Sequence, residues 1–479
     1  MKRYLVFLCG LMFLLGIQTP ASPIELPKTG QTFCYDEGGN VIDCTGTGQD
    51  GAYQKGIPWP VPRFTDNGDG TVTDNLTKLI WLKNANRFGA KTWLQALNDC
   101  NTLADDGIDL TDGSVAGDWR LPNVNELESL IHAEEPSSAA WLNSQGFTNV
   151  QGLQYWSSTT YAVDPPDPSN AWTVNMWNGE LRAPPKVNLY SVWPVRAATA
   201  PPAELPRTGQ TVSYAAGDDG DIQAGVAWPS PRFTVNPDAT VTDELTGLVW
   251  APDGNIMPVR DPGWDQDDIV DDGMVTWQHA LDYVAKLNAE NYLGLNDWRL
   301  PNVNELESLI HAGEPSSATW LNLQGFANVQ QDWYWSSTSY AFNPSRAWYI
   351  GMFGMFDGYV LAATKTFSYY VWPVREISEE GATPPLLLPR SSGGGGCFIA
   401  TAAYGSGMAE EVKVLKEVRD EYLLTNSLGK ALVSFYYKQG PKLAGFISNR
   451  PLLKSIVRVG LYPLVRLSGL VMDTEEDTR

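Results

Sequence analysis

The side chains of this chain that could carry acid–base, thiol or metal chemistry are its 55 acidic residues, three histidines and five cysteines. Glu126 and Glu128, repeated as Glu305 and Glu307, are spaced like a pair of catalytic carboxylates. Their setting, a helix-capping turn and a helix face, assigns them to structure. His132 and His311 stand at the end of the same helix, where a cation would favour the dipole. The turn Asp66-Asn-Gly-Asp-Gly70, with Asp69 and Asp74, has oxygen ligands around a glycine bend, as a calcium loop does. An ordinary hairpin turn fits it too. A later stretch holds Asp261, Asp265, Asp267, Asp268, Asp271 and Asp272, a spacing that suits either Ca2+ or a solvated loop.

The aromatic residues say more. Trp59, Trp81, Trp93, Trp119, Trp141, Trp156, Trp172 and Trp193 all have tryptophan counterparts further along the chain, as core residues would. Trp177 does not. In Ala171–Trp177, alternation puts Trp172, Val174 and Met176 on one face and Thr173, Asn175 and Trp177 on the other. An aromatic beside a hairpin on a polar face is a platform for a sugar ring. The matching face further on carries Tyr349, Gly351 and Phe353, while Trp264 and Trp333 also lack tryptophan partners.

These residues sit on a long internal repeat. The block Asp118–Ala133 returns unchanged as Asp297–Ala312, Thr29–Thr32 as Thr208–Thr211, and Trp156–Thr159 as Trp335–Thr338. A period of 179 residues means two tandem domains, not a solenoid. Within one unit, strands are expected at 63–65, 71–73, 79–82, 155–160, 171–177 and 190–196. Helices are expected over 92–104 and 123–133, with Asn123 and Glu126 forming a capping box. Asn178-Gly179 makes a tight hairpin. The fold class is α+β.

The ends differ from the repeats. Met1–Ser22 reads as an export signal: Lys2 and Arg3, an apolar run, then small residues. Its removal leaves Cys34 and Cys44 as the best disulfide pair in an oxidising compartment. Cys100 has no evident partner, and Cys397, after four glycines, suits processing, attachment or a disulfide with Cys100 or another chain. The expected layout is signal 1–22, first repeat 27–196, linker 197–207, second repeat 208–375, Pro/Gly-rich linker 376–396, helical segment 397–472 and acidic tail 473–479. The whole chain carries −22, but the first 396 residues, with 22 basic and 46 acidic side chains, carry −24. That balance excludes nucleic acid as a partner. The basic, amphipathic 408–472 stretch suits contact with a membrane surface.

The shared motifs, Gly-Gln-Thr, 63–74, Asp118–Asn123, Trp-Ser-Ser-Thr and the closing Pro-Val-Arg, resemble the Lcl C-terminal domain family. That resemblance implies two tandem C-type-lectin-like domains that bind an extracellular glycan or other surface ligand. Glu135-Pro-Ser137 and Trp177-Asn-Gly179 are similar to sugar-binding motifs of true C-type lectins, each lacking one polar ligand residue. Gly393–Ser406 resembles the start of the CFI-box C-terminal domain of exported bacterial proteins, which implies sorting or retention at the bacterial envelope. A structural envelope protein is the alternative. A sulfatase-modifier-like enzyme is a weaker one, since the second repeat has no cysteine.

Overall fold

The computed structural model describes residues 23–162, 168–197, 205–264 and 272–376. The export signal, Cys397, the CFI-box segment and Asp265, Asp267, Asp268 and Asp271 lie outside the described residues.

Each repeat is built on two sheets. In the first, Phe64–Asp66, Thr71–Asp74 and Leu79–Leu82 form an antiparallel meander, and Val195–Ala197 returns beside Leu79–Leu82. The second sheet runs in the order Ala90–Lys91, Tyr190–Ser191, Gln154–Thr160, Ala171–Asn175, Leu181–Arg182. The second repeat copies this plan. Phe233–Val235, Val241–Asp243, Leu248–Trp250 and Val374–Glu376 make four strands; Trp333–Ser339, Arg346–Gly351 and Val360–Thr364 make three. The motifs explain the closure. Arg120 and Val195 exchange backbone hydrogen bonds at 3.0 Å, and Arg299 and Val374 do so at 2.9 Å. Tyr190–Arg196 therefore splits between two sheets instead of forming one closing strand.

Both expected helices form, and both are shorter than expected. Trp93–Asn101 stops where the Thr102 hydroxyl donates to the Asn98 carbonyl. Val124–Glu128 keeps its capping box, but the Ser129 hydroxyl donates to the Glu126 carbonyl and the buried Arg63 guanidinium takes the Ser129 carbonyl. These bonds occupy the acceptors that another helical turn needs. Arg232 does the same to Ser308 after Val303–Glu307. A further helix, Ser138–Ser144, has its N-terminus capped by Ser137.

The segment before each meander, here called its arm, does more than lead into its own repeat. Each arm is anchored at home through a tryptophan: Trp59 packs on His132 and Trp141, and Trp228 packs on His311 and Trp320. Each then crosses to the other repeat. Gln31 donates to the Ser339 carbonyl and accepts from the Ser339 N–H (2.8 and 2.9 Å); Gln210 does the same with Thr160 (2.7 and 3.0 Å). Asp50, on the short helix Asp50–Tyr53, accepts hydroxyls from Thr29 and Thr338, while Asp219 accepts them from Thr208 and Thr159. Most of the apolar core of each repeat joins into one cluster, and a smaller one around Trp93 and Trp156 has all its buried residues in the first repeat.

Candidate functional site

Trp177 follows the strand Ala171–Asn175 at the entry to its hairpin. The Asn175 side chain accepts from the Trp177 N–H at 2.9 Å, and the Asn175 carbonyl accepts from Gly179, whose φ of +79° suits the turn. Met176 is buried, which drives the next side chain outward, and Trp177 is 48% exposed. The indole lies on Gly152, where an added Cβ would come within 2.9 Å of it. Phe342 of the second repeat, itself 52% exposed, stands 6.1 Å from it at 64°. Asn178 bonds to the Tyr340 hydroxyl across the same seam. The two repeats thus build this aromatic corner together.

Not every residue of the expected polar face belongs to the corner. Thr173 is fully buried and its hydroxyl donates to the Arg182 carbonyl at 3.0 Å, so it has no free surface to offer. Asn175 is half-buried and spends its side chain on the turn. In the second repeat Trp333 gathers Tyr349 at 4.8 Å and Phe353 at 4.9 Å, with Phe356 and Tyr369 alongside. Tyr349 is buried here and its hydroxyl bonds to that of Tyr369. Burial raises both phenols above their ordinary value. The rings therefore mostly cover one another, and only Phe367 and Met355 stand well out at the rim. Trp264 is elsewhere, half-buried against Tyr283 and under Lys286.

The described aspartates are already engaged. Asp66 pairs with Lys83 at 2.6 Å, Asp69 accepts from the Thr71 hydroxyl at 2.6 Å, and Asp74 is buried against Arg63. Asp261 accepts from Tyr283 and pairs with Arg260 and Lys286. Among the described residues no three His, Cys, Asp or Glu side chains converge on a metal position.

Cys34 and Cys44 are joined in a disulfide that ties the small hairpin Cys34–Tyr35 and Val41–Ile42. Cys100 is free and fully buried in a cluster with Trp93 and Trp156, while Cys397, its expected alternative partner, lies outside the described residues. Burial pushes the Cys100 thiol well above the ordinary value, which keeps it unreactive.

The histidines need correction. His132 and His311 are not helix-end cations. Each is sandwiched by tryptophans, and its Nδ1 accepts a backbone N–H, from Glu134 and Gly313 respectively. Burial, helped by Arg63 and Arg232 nearby, lowers both to about 4, so both rings are neutral. Glu126 and Glu305 cap as expected and also clasp Arg120 and Arg299 at 2.5–2.6 Å. Glu128 and Glu307 instead hydrogen-bond to each other across the repeats, beside a cavity of about 90 Å3 between the arms.

Phe342 and Tyr340 are not evident in the sequence because their relation to Trp177 exists only once the repeats pack, and Gly152 because its contact with Trp177 depends on the tertiary fold of the first repeat. The signal for that packing is the buried Trp-Ser-Ser-Thr motif, whose threonine hydroxyls find partners in the other repeat's arm.

The model of the Lcl C-terminal domain matches residues 70–196 and 239–375, together more than half of the chain. The chain belongs to the Lcl C-terminal domain family. No curated protein matches it. The intramolecular disulfide is compatible with export, and among the described residues no helix is long and apolar enough to cross a membrane.

Proposed function

We propose that this is an exported, envelope-associated binding protein whose paired Lcl domains, of C-type-lectin-like kind, hold an extracellular glycan. The observation that carries this reading is the corner made by Trp177 and Phe342: a half-exposed indole fixed on Gly152, with a second aromatic beside it and Asn178 at its edge. A sugar ring presents apolar C–H faces and polar rims, which such a corner complements by burial and stacking. The acidity of the first 396 residues, 22 basic against 46 acidic, favours uncharged sugars or ligands bridged by a cation over sulfated ones. The stretch 397–472 would direct sorting or retention and contact the membrane surface. A glycan array probed with the full-length mature protein, with and without calcium, tests this. Binding to neutral glycans is expected, and retention of only sulfated glycans, or of none, would count against it.

A further inference from the structure

A central set of the bonds that join the two repeats is reciprocal, while others, such as Tyr161 to Gly354 and Lys365 to Tyr35, occur once. Asn125 donates to the Pro206 carbonyl, and its counterpart Asn304 donates to that of Pro27, at 3.1 and 3.0 Å. The Gln31–Ser339 pair of bonds is matched by Gln210–Thr160, and the Asp50 hydroxyl clasp by the one at Asp219. Glu128 meets Glu307, its own equivalent, as only residues on a two-fold axis do. Each repeat thus carries both halves of the joint: an arm with Thr, Gln and Asp, and a receiving strand with Thr and Thr or Ser.

We infer that this joint is a homotypic pairing surface, whose fitting partner is a second copy of the same repeat, and that the tandem chain is such a pair fused by its linker. In a pair of second repeats, Gln210 of each copy would meet the Ser339 backbone of the other, and Asp219 would meet Thr338. No new residue type is needed. The family match begins at residues 70 and 239, beyond Gln31, Asp50, Gln210 and Asp219, so the pairing arms lie outside the matched domain. The inference is independent of what the domains bind.

The test starts from the full chain with a protease site placed within residues 198–204. After cleavage the halves should stay together and elute at the size of the uncut protein; halves that separate overturn the inference. Unfolding the cleaved protein with its disulfide intact and refolding the mixture should give three pairs by native mass spectrometry: first with first, second with second, and first with second. A mixed pair alone, or unpaired halves, overturns it. A chain whose first repeat is replaced by a second copy of residues 205–376 reports without refolding. One compact monomer with a single cooperative melt is expected, and an unfolded or extended chain contradicts the inference.

Discussion

Glu128 and Glu307, equivalent residues of the two repeats, hydrogen-bond carboxyl to carboxyl at the seam between them. Burial raises both, Glu128 well above the ordinary value and Glu307 to about 7, and mutual repulsion adds to the rise in Glu128. Two carboxyls in contact repel once both are ionised, so the pair keeps at least one proton.

The pair sets a pH dependence with a definite sign. Between the ordinary glutamate value and about 7, Glu307 in the folded chain holds a proton that the unfolded chain has released, in addition to the one that Glu128 retains. The stability this proton supplies is full below about pH 4.5 and is lost as pH rises through 7. Glu307→Gln keeps a donor in place without the charge. It should raise the melting temperature at pH 8 relative to the natural chain and leave it nearly unchanged at pH 5. Equal shifts at both pH values would contradict a Glu307 that is protonated at pH 5 and ionised at pH 8.

His132 and His311 act in the opposite direction. Their folded values near 4 mean that stability they contribute above about pH 6.5 is lost as pH falls toward 4. Proton NMR of the imidazoles should show both still neutral at pH 5.5. Midpoints near 6.5 would place them in water, contrary to the tryptophan sandwich.

Gln31 and Gln210 each satisfy one backbone donor and one acceptor of the other repeat in a buried setting. Truncating either leaves both groups without partners, a cost of about 2 kcal/mol. Denaturant unfolding of Gln31→Ala and Gln210→Ala should show this loss in each, and roughly twice as much in the double variant. Losses below about 0.5 kcal/mol would mean that the arms hold by other contacts.

Cys100 should resist alkylation in the native protein and react fully once unfolded, because it is fully buried in the cluster with Trp93 and Trp156. Mass spectrometry after iodoacetamide treatment reads this directly. Native labelling would show that the layer around Trp93 and Trp156 opens.

Much of this was legible in the sequence because it is local. The capping boxes at Asn123 and Asn302, the hairpin at Gly179 and the Cys34–Cys44 pairing depend on residues a few positions apart. The helix ends were less legible, since Ser129 and Ser308 lose their carbonyls to arginines some 70 residues away in sequence. The candidate site was half legible. Trp177 stands out by alternation and by lacking a tryptophan counterpart, but Phe342 reaches it only because the repeats interlock. Thr173 looked free for the same reason that alternation is blind to what covers a sheet's second face.

The most direct measurement is the affinity of full-length Trp177→Ala for the neutral glycan that the array selects, with circular dichroism and melting temperature recorded beside it. Loss of the stacking platform should weaken binding at least tenfold, about 1.4 kcal/mol, with the fold unchanged. Phe342→Ala should weaken it less, because its ring meets Trp177 from the side. Undiminished binding by a folded Trp177→Ala protein would contradict the proposal that this corner is where the ligand sits.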